Sequence, residues 1–204
     1  MPRHVDHESR KRDIVNATLQ VLGESGTRGL SFRAVAKQMG GSTTMITHYF
    51  PTQTELLDEV TVQVLAGWNA DIQALDAASD TSLERLRSLL RWLVPLTDVG
   101  LRDEQVRIHL IAGQLLGDEN RATFNAMDQT IRTLLRSHVA DLAPESEVER
   151  VVELLRVTTN GVALSVVENP QQWPAARQLA ILDWLVESLG LAGTTSVSRS
   201  VAAQ

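Results

Sequence analysis

The sequence predicts an all-α fold of about nine helices, an N-terminal three-helix bundle followed by a larger helical domain. Three observations predict it. Apolar residues recur at helical spacing almost throughout. Strand-like alternation bounded by turn signals is missing. Gly26, Gly40-Gly41, Gly117 and Pro144 interrupt the periodicity where helices should end.

The first helix is predicted over residues 8–25, with Ile14, Val15, Ala17, Leu19, Val21 and Leu22 as its core stripe and Gly26 as its stop. Ser31 suits the N-cap of a short second helix over 32–39, which Gly40-Gly41 ends. Ser42 or Thr43 can cap a third, which runs to Phe50-Pro51. The fourth is predicted from Thr52 to Leu75, with Leu56, Val60, Val64, Leu65 and Trp68 on its apolar side, and DAASDT (76–81) as a loop. The fifth spans 82–96, with Pro95 and Gly100 marking its end. The sixth spans 103–116 and the seventh 120–142, with a break at Gly117-Asp118. Pro144 precedes an eighth over 146–167. NPQQWP (169–174) leads into a ninth over 174–189, with Pro174 at a first helical position. Domains are expected at 1–51 and 52–190, and residues 191–204 as a disordered tail.

Helices eight and nine differ from the rest. Valine and leucine occupy nearly every side of 148–167, and charge in 176–189 is limited to Arg177, Asp183 and Glu187. A helix apolar nearly all round needs a second partner, either the centre of its own domain or another chain. The second is favoured: a homodimer in which 146–167 and 174–189 of each chain form a four-helix interface.

Composition narrows the function classes. The 204 residues contain no cysteine, which excludes disulfides, thiol catalysis and cysteine-ligated metal. The polar N-terminus MPRHVDHESRKRD lacks the apolar segment of a signal peptide, and no run approaches a membrane span. A soluble, cytoplasmic protein is expected. The net charge of −6 is unevenly spread: residues 1–53 carry seven Lys/Arg against four Asp/Glu, a net of +3, and the remainder carries −9 with no lysine. A basic head on an acidic body confines phosphate affinity to one end.

The segment SFRAVAKQMGGSTTMITHYF (31–50) meets the steric demands of a helix-turn-helix. Ala36 is small where two helices cross, and Gly40 can take the left-handed turn. Val35, Met39, Ile46 and Tyr49 fall at apolar positions, which leaves Ser42, Thr43, Thr44, Thr47 and His48 exposed. Such a helix can lie in a major groove with hydroxyls, an imidazole and threonine methyls toward base edges and phosphates. Spacing alone also admits a helical hairpin with merely solvated polar groups.

These residues carry a specific resemblance. Gly26, Ser31-Phe32-Arg33, Val35-Ala36, Gly40, Ser42, Ile46 and His48-Tyr49-Phe50 resemble the DNA-binding region of TetR-family transcriptional regulators. Ser42-Thr43 followed by Ile46-Thr47-His48-Tyr49-Phe50 is closer still to the BetI-type branch. Asn160-Gly161-Val162-Ala163-Leu164, Asn169-Pro170, Trp173-Pro174 and Arg177 resemble that branch's C-terminal domain, so the likeness spans residues 10–189. The resemblance implies a ligand-responsive repressor that binds a near-palindromic operator in double-stranded DNA. It implies that Ser31 meets a phosphate and that Arg33 reaches a phosphate or a groove-edge base. Thr43, Thr44 and Thr47 would meet base edges beside Ser42, and His48 and Tyr49 would hold the DNA backbone. Three positions depart from the family pattern. Thr47 replaces the tyrosine of many relatives, although a small hydroxyl residue there fits the BetI-type branch. Gly41 replaces a usual apolar residue, which predicts a looser turn, and Gln53 stands where many members have a phosphate-binding lysine.

The resemblance also implies a small-molecule effector among the C-terminal helices. Candidates are Trp68, Trp92, His109, Phe124, Met127 and Asn160, bulky or polar groups on or beside apolar stripes. For Trp68, Trp92 and Met127 core packing is the stronger reading. His109 stands open between a satisfied core histidine and a pocket donor, and Asn160 between a cap or a bond in the dimer core and a ligand contact. Trp173 and Trp184 are expected in packing or dimer contacts, and no quaternary ammonium ligand is inferred. No cofactor or metal is expected, and His4 and His7 are expected in a mobile arm. The rival classes are an enzyme, for which no zinc spacing, phosphate loop or nucleophile motif stands out, and a helical ligand-binding protein with a degenerate head.

Overall fold

The computed structural model describes residues 7–77, 80–112 and 118–192. Regular structure among them is helical, with no strand: α1 His7–Gly29, α2 Phe32–Gln38, α3 Thr43–Tyr49, α4 Gln53–Ala77, α5 Ser82–Trp92, α6 Asp98–Ala112, α7 Asp118–Ala140, α8 Val148–Glu168 and α9 Ala175–Ser188. Short 3₁₀ turns occupy Glu145–Glu147 and Pro170–Gln172. The chain divides into two compact units, Met1–Gln73 with Thr97–Gln129, and Ala74–Leu96 with Thr130–Gln204.

In the first unit, α1 packs along α6 as well as against α2. One apolar core runs from Ile14, Val15 and Leu22 of α1 through Val35, Ile46 and Phe50 to Leu56 and Val60 of α4, Val106 of α6 and Phe124 of α7. Of the predicted stripe of α1, Ile14, Val15, Ala17, Val21 and Leu22 are buried and Leu19 is half-buried; Thr18, outside that stripe, is also buried, its hydroxyl satisfied by the Ile14 carbonyl. Gly26 breaks α1 as expected, at φ 60 and ψ −168, a region essentially reserved for glycine. α4 is capped by Thr52, whose hydroxyl accepts from the Glu55 amide at 3.2 Å.

The sixth helix corrects the sequence expectation. It begins at Asp98, not near 103, and Gly100 lies within its first turn. The cause is Thr97, whose hydroxyl accepts from the Gly100 amide at 3.1 Å and whose carbonyl accepts from Leu101 at 2.8 Å. A capped first turn tolerates a glycine. The fifth helix correspondingly stops at Trp92, ahead of Pro95, because the residue before a proline is pushed out of the helical region.

In the second unit, α5 opens on a capping box: Thr81 accepts from the Glu84 amide and Glu84 accepts from the Thr81 amide. Leu86, Leu89 and Leu90 of α5 are buried, as are Val151, Val152 and Leu155 of α8 and Leu182, Leu185 and Val186 of α9. Gln178, 2% exposed, donates to the carbonyls of Pro95 at 3.1 Å and Trp173 at 2.9 Å, stapling the exit of α5 to the entry of α9. Arg132 pairs with Glu153 and Arg136 with Glu149, tying the second half of α7 to α8. Pro174 sits one residue before α9 in an extended conformation rather than inside it. α9 ends in a Schellman turn: Gly190 adopts φ 71, and Leu191 donates to the Val186 carbonyl. Leu191 is therefore a buried core residue and not the start of a tail, and residues 193–204 lie outside the described residues. No described helix is long and apolar enough to cross a membrane.

Candidate nucleic-acid interface

The turn between α2 and α3 has the geometry the spacing predicts. Gly40 stands at φ 63, its amide donates to Lys37, and the Gly41 amide donates to Ala36, which closes α2 in a second Schellman turn. That motif commonly places an apolar side chain at the position of Gly41. Here Met45 supplies one: a Cβ built on Gly41 would lie 2.9 Å from the Met45 methyl. The apolar contact is thus made from α3 instead of from the turn. Val35 and Ile46 are fully buried beneath the crossing and Ala36 nearly so, as the small residue there requires.

The same packing exposes the polar set. Ser31, Arg33, Ser42, Thr43, Thr44, Thr47 and His48 are all exposed, and Tyr49 is half-buried. Ser31 and Ser42 are N-caps whose oxygens accept from Ala34 at 3.1 Å and Met45 at 3.2 Å. Each hydroxyl proton remains available to a phosphate oxygen. Thr47 instead donates its hydroxyl to the Thr44 carbonyl at 3.2 Å, which leaves its methyl and its acceptor lone pairs outward. Tyr49 sits between two imidazoles: the His48 ring meets it edge-on at 5.3 Å, and the His7 ring lies 4.5 Å away from α1. His7 was expected in a mobile arm; it is the first residue of α1, and its ring is held against Tyr49. Nothing in the local sequence pairs residues this far apart, so spacing could not find it. Gln53 turns inward and donates weakly to the Leu30 carbonyl at 3.5 Å, bracing the α1–α2 connection.

Residues 14–60 match the family described as bacterial regulatory proteins of the tetR family, and residues 82–191 match the BetI-type transcriptional repressor C-terminal domain. The chain belongs to the TetR family, BetI type. It is therefore a transcriptional regulator with a helix-turn-helix head. The relative PksA from Bacillus subtilis (strain 168), an HTH-type transcriptional regulator, is 26% identical over 98% of each chain. Two solved structures share the fold. A transcriptional regulator from Rhodococcus sp. Rha1 superposes with a TM-score of 0.78, at 23% identity, over 88% of this chain and 95% of that one. One from Saccharomonospora viridis, in complex with choline, superposes with a TM-score of 0.77, at 17% identity, over 88% and 96%.

The six effector candidates divide between the units. In the first, Trp68 and Phe124 meet edge to face with ring centres 6.4 Å apart, inside the core that also holds Val64 and Val106. Met127 is buried, and Trp68 is half-buried. The sequence leaves His109 open between core and pocket; its imidazole lies flush against Gly26, with ring atoms 3.1–3.3 Å from where a Cβ there would stand. It thus brings α6 onto the end of α1 in the DNA-reading head. In the second unit Trp92 is half-buried, and Asn160 accepts from the buried Arg156 guanidinium at 2.7 Å.

Proposed function

We infer that this regulator is a repressor that binds a near-palindromic operator in the major groove as a homodimer and is released by a small-molecule effector in the cytoplasm. The observation that carries the DNA assignment is the exposed row on α3. Ser42, Thr43, Thr44, Thr47 and His48 face outward from a helix whose opposite side is locked by Ile46 and by the turn at Gly40. Ser31, Arg33 and Tyr49 flank that row and serve the phosphates. Residues 1–51 read DNA, and 52–190 carry the effector and dimer functions.

Dimerisation rests on α8 and α9. Leu154, Val157 and Leu164 recur along one side of α8 with Gly161 between them, and Trp184 of α9 is 65% exposed. A Cβ on Gly161 would meet nothing within 4 Å, so a partner helix can approach closely there. The effector site falls around Trp68, His109, Phe124 and Met127 of α4, α6 and α7. The Saccharomonospora viridis relative holds choline, which makes small organic molecules, cations included, the class to screen. Coupling needs an effector with different affinities for the DNA-bound and released states. It can travel along α4, which is separated from α3 by three residues, and along the α6–α1 contact at His109 and Gly26.

The test is a gel-shift on duplexes selected from a random pool by the full-length chain. Replacing Thr43, Thr44 and Thr47 together by Ala should cost at least about tenfold in affinity for the selected duplex, since a good base contact is worth about 1–3 kcal/mol. Unchanged binding would sink the base-reading assignment. A steep fall of affinity with salt separates a regulator from a helical ligand-binding protein whose head has lost its role.

A further inference from the structure

We propose that the DNA interface extends beyond the helix-turn-helix onto the first turn of α1, where His7 is a phosphate-contacting residue that acts in one strip with Tyr49 and His48. The proposal rests on the DNA-reading assignment above and adds a contact that lies outside the residues 14–60 matched to the family.

The geometry that carries it is a three-ring cluster. Tyr49 ends α3, and its half-buried ring is flanked by two exposed imidazoles, His48 from its own helix and His7 from α1. The His7 ring is tilted 47° to the tyrosine at 4.5 Å, and the His48 ring is nearly perpendicular at 5.3 Å. Both imidazoles are exposed beside the tyrosine ring, at the end of the helix whose exposed face reads bases. An imidazole held there can donate a ring N–H to a phosphate oxygen, and when protonated it adds a charge that displaces a counterion.

The charges on the adjoining turns favour that role. The first turns of α1 carry Arg10, Lys11 and Arg12 against Glu8 and Asp13, and α2 carries Arg33 and Lys37 with no acid. Arg10 also pairs with Asp13. Cations outnumber acids in both stretches, which suits a surface that receives phosphate. Imidazole is the side chain whose charge ordinarily changes between about pH 5 and 8. A charged ring makes the stronger phosphate contact, so the contact is tested on both sides of that range.

The experiment compares wild type with His7→Phe and His7→Ala on two duplexes of equal length, one selected from a random pool and one of random sequence. Phe keeps a ring against Tyr49 and removes the donor and the charge; Ala removes all three. Both variants should bind both duplexes about fivefold to tenfold more weakly at about pH 6, with the selected-to-random ratio unchanged, because a phosphate contact carries no sequence information. The slope of log affinity against log salt should become shallower by about one per head, and the deficit should shrink at about pH 8.5. A His7→Phe variant that binds as wild type would reduce His7 to a prop for the tyrosine and overturn the proposal. So would a deficit that ignores pH and salt. Thermal unfolding of each variant, expected to match wild type for an exposed residue in the first helical turn, guards against misfolding as the cause. Wild type that binds neither duplex would instead defeat the DNA-reading assignment itself.

Discussion

Gly40 and Gly26 both have positive φ, yet they hold different things. A methyl on Gly40 would meet nothing within 4 Å, so replacing it by Ala costs only the left-handed backbone, about 1–2 kcal/mol. Gly26 adds two demands. Its φ and ψ lie where other residues are essentially never found, and the His109 ring occupies the space a methyl would need. Gly26→Ala should therefore cost more than Gly40→Ala, about 2–4 kcal/mol, as read by urea unfolding of the two variants. Equal costs would mean that the His109 contact is loose. The two glycines also show what the sequence could reveal. Gly40 was legible because its reason is local: a turn between two short helices with a cap on each side. Gly26 was legible as a stop and not as a packing site, because its neighbour stands on α6, far along the chain. His109 was left open between core and pocket for the same reason, and its place against Gly26 is a tertiary fact. Gly41 behaved likewise: its departure from the family pattern was visible, but the Met45 methyl that fills the gap was not.

At the scale of elements, the helices legible in advance were those whose ends are signalled by the residues themselves. Ser31 and Ser42 cap, Gly40 stops, and α2 and α3 fell where expected. α6 was misplaced because Gly100 looks like a breaker until Thr97 is recognised as the cap that precedes it. The same helix carries a perturbed carboxylate. Asp103 of α6 keeps surface in solvent, but packing around its carboxylate raises its pKa above the ordinary range; Arg102 opposes the shift and Asp71 of α4 adds to it. A carboxyl whose folded pKa is raised holds its proton more tightly when folded, so ionising it weakens the fold. The loss begins as pH climbs through the ordinary carboxylate range and is complete above the raised value. Asp103→Asn should accordingly raise Tm at neutral pH and leave it unchanged in acid below the ordinary carboxylate range. A gain that persists undiminished in acid would point to a cause other than charge.

For the whole molecule the question is why one head would not suffice. A single short recognition helix makes few base contacts at about 1–3 kcal/mol each, and discrimination against random DNA needs about 4–10 kcal/mol. Two heads on a twofold axis double the readout, and the surface that would join them belongs to the acidic body. The near-continuous valine and leucine of residues 148–167 signalled that surface in the sequence, because the second unit's own core uses only part of them. Val151, Val152, Leu155, Val162 and Val166 are buried within it, while Val157 remains 63% exposed beside Leu154 and Leu164. Half-exposed side chains of this size gain about 1 kcal/mol each when covered. A carboxylate among them gains nothing and must be desolvated, at several kcal/mol. Trp184→Glu, or Val157→Asp as a second route, should therefore convert the chain to a monomer in sedimentation while its helical circular dichroism stays intact. The monomer should keep the salt-dependent binding of one head to random-sequence duplex and lose most of its preference for the selected operator. A dimer that survives both substitutions would move the interface elsewhere and would require another cover for the apolar side of α8.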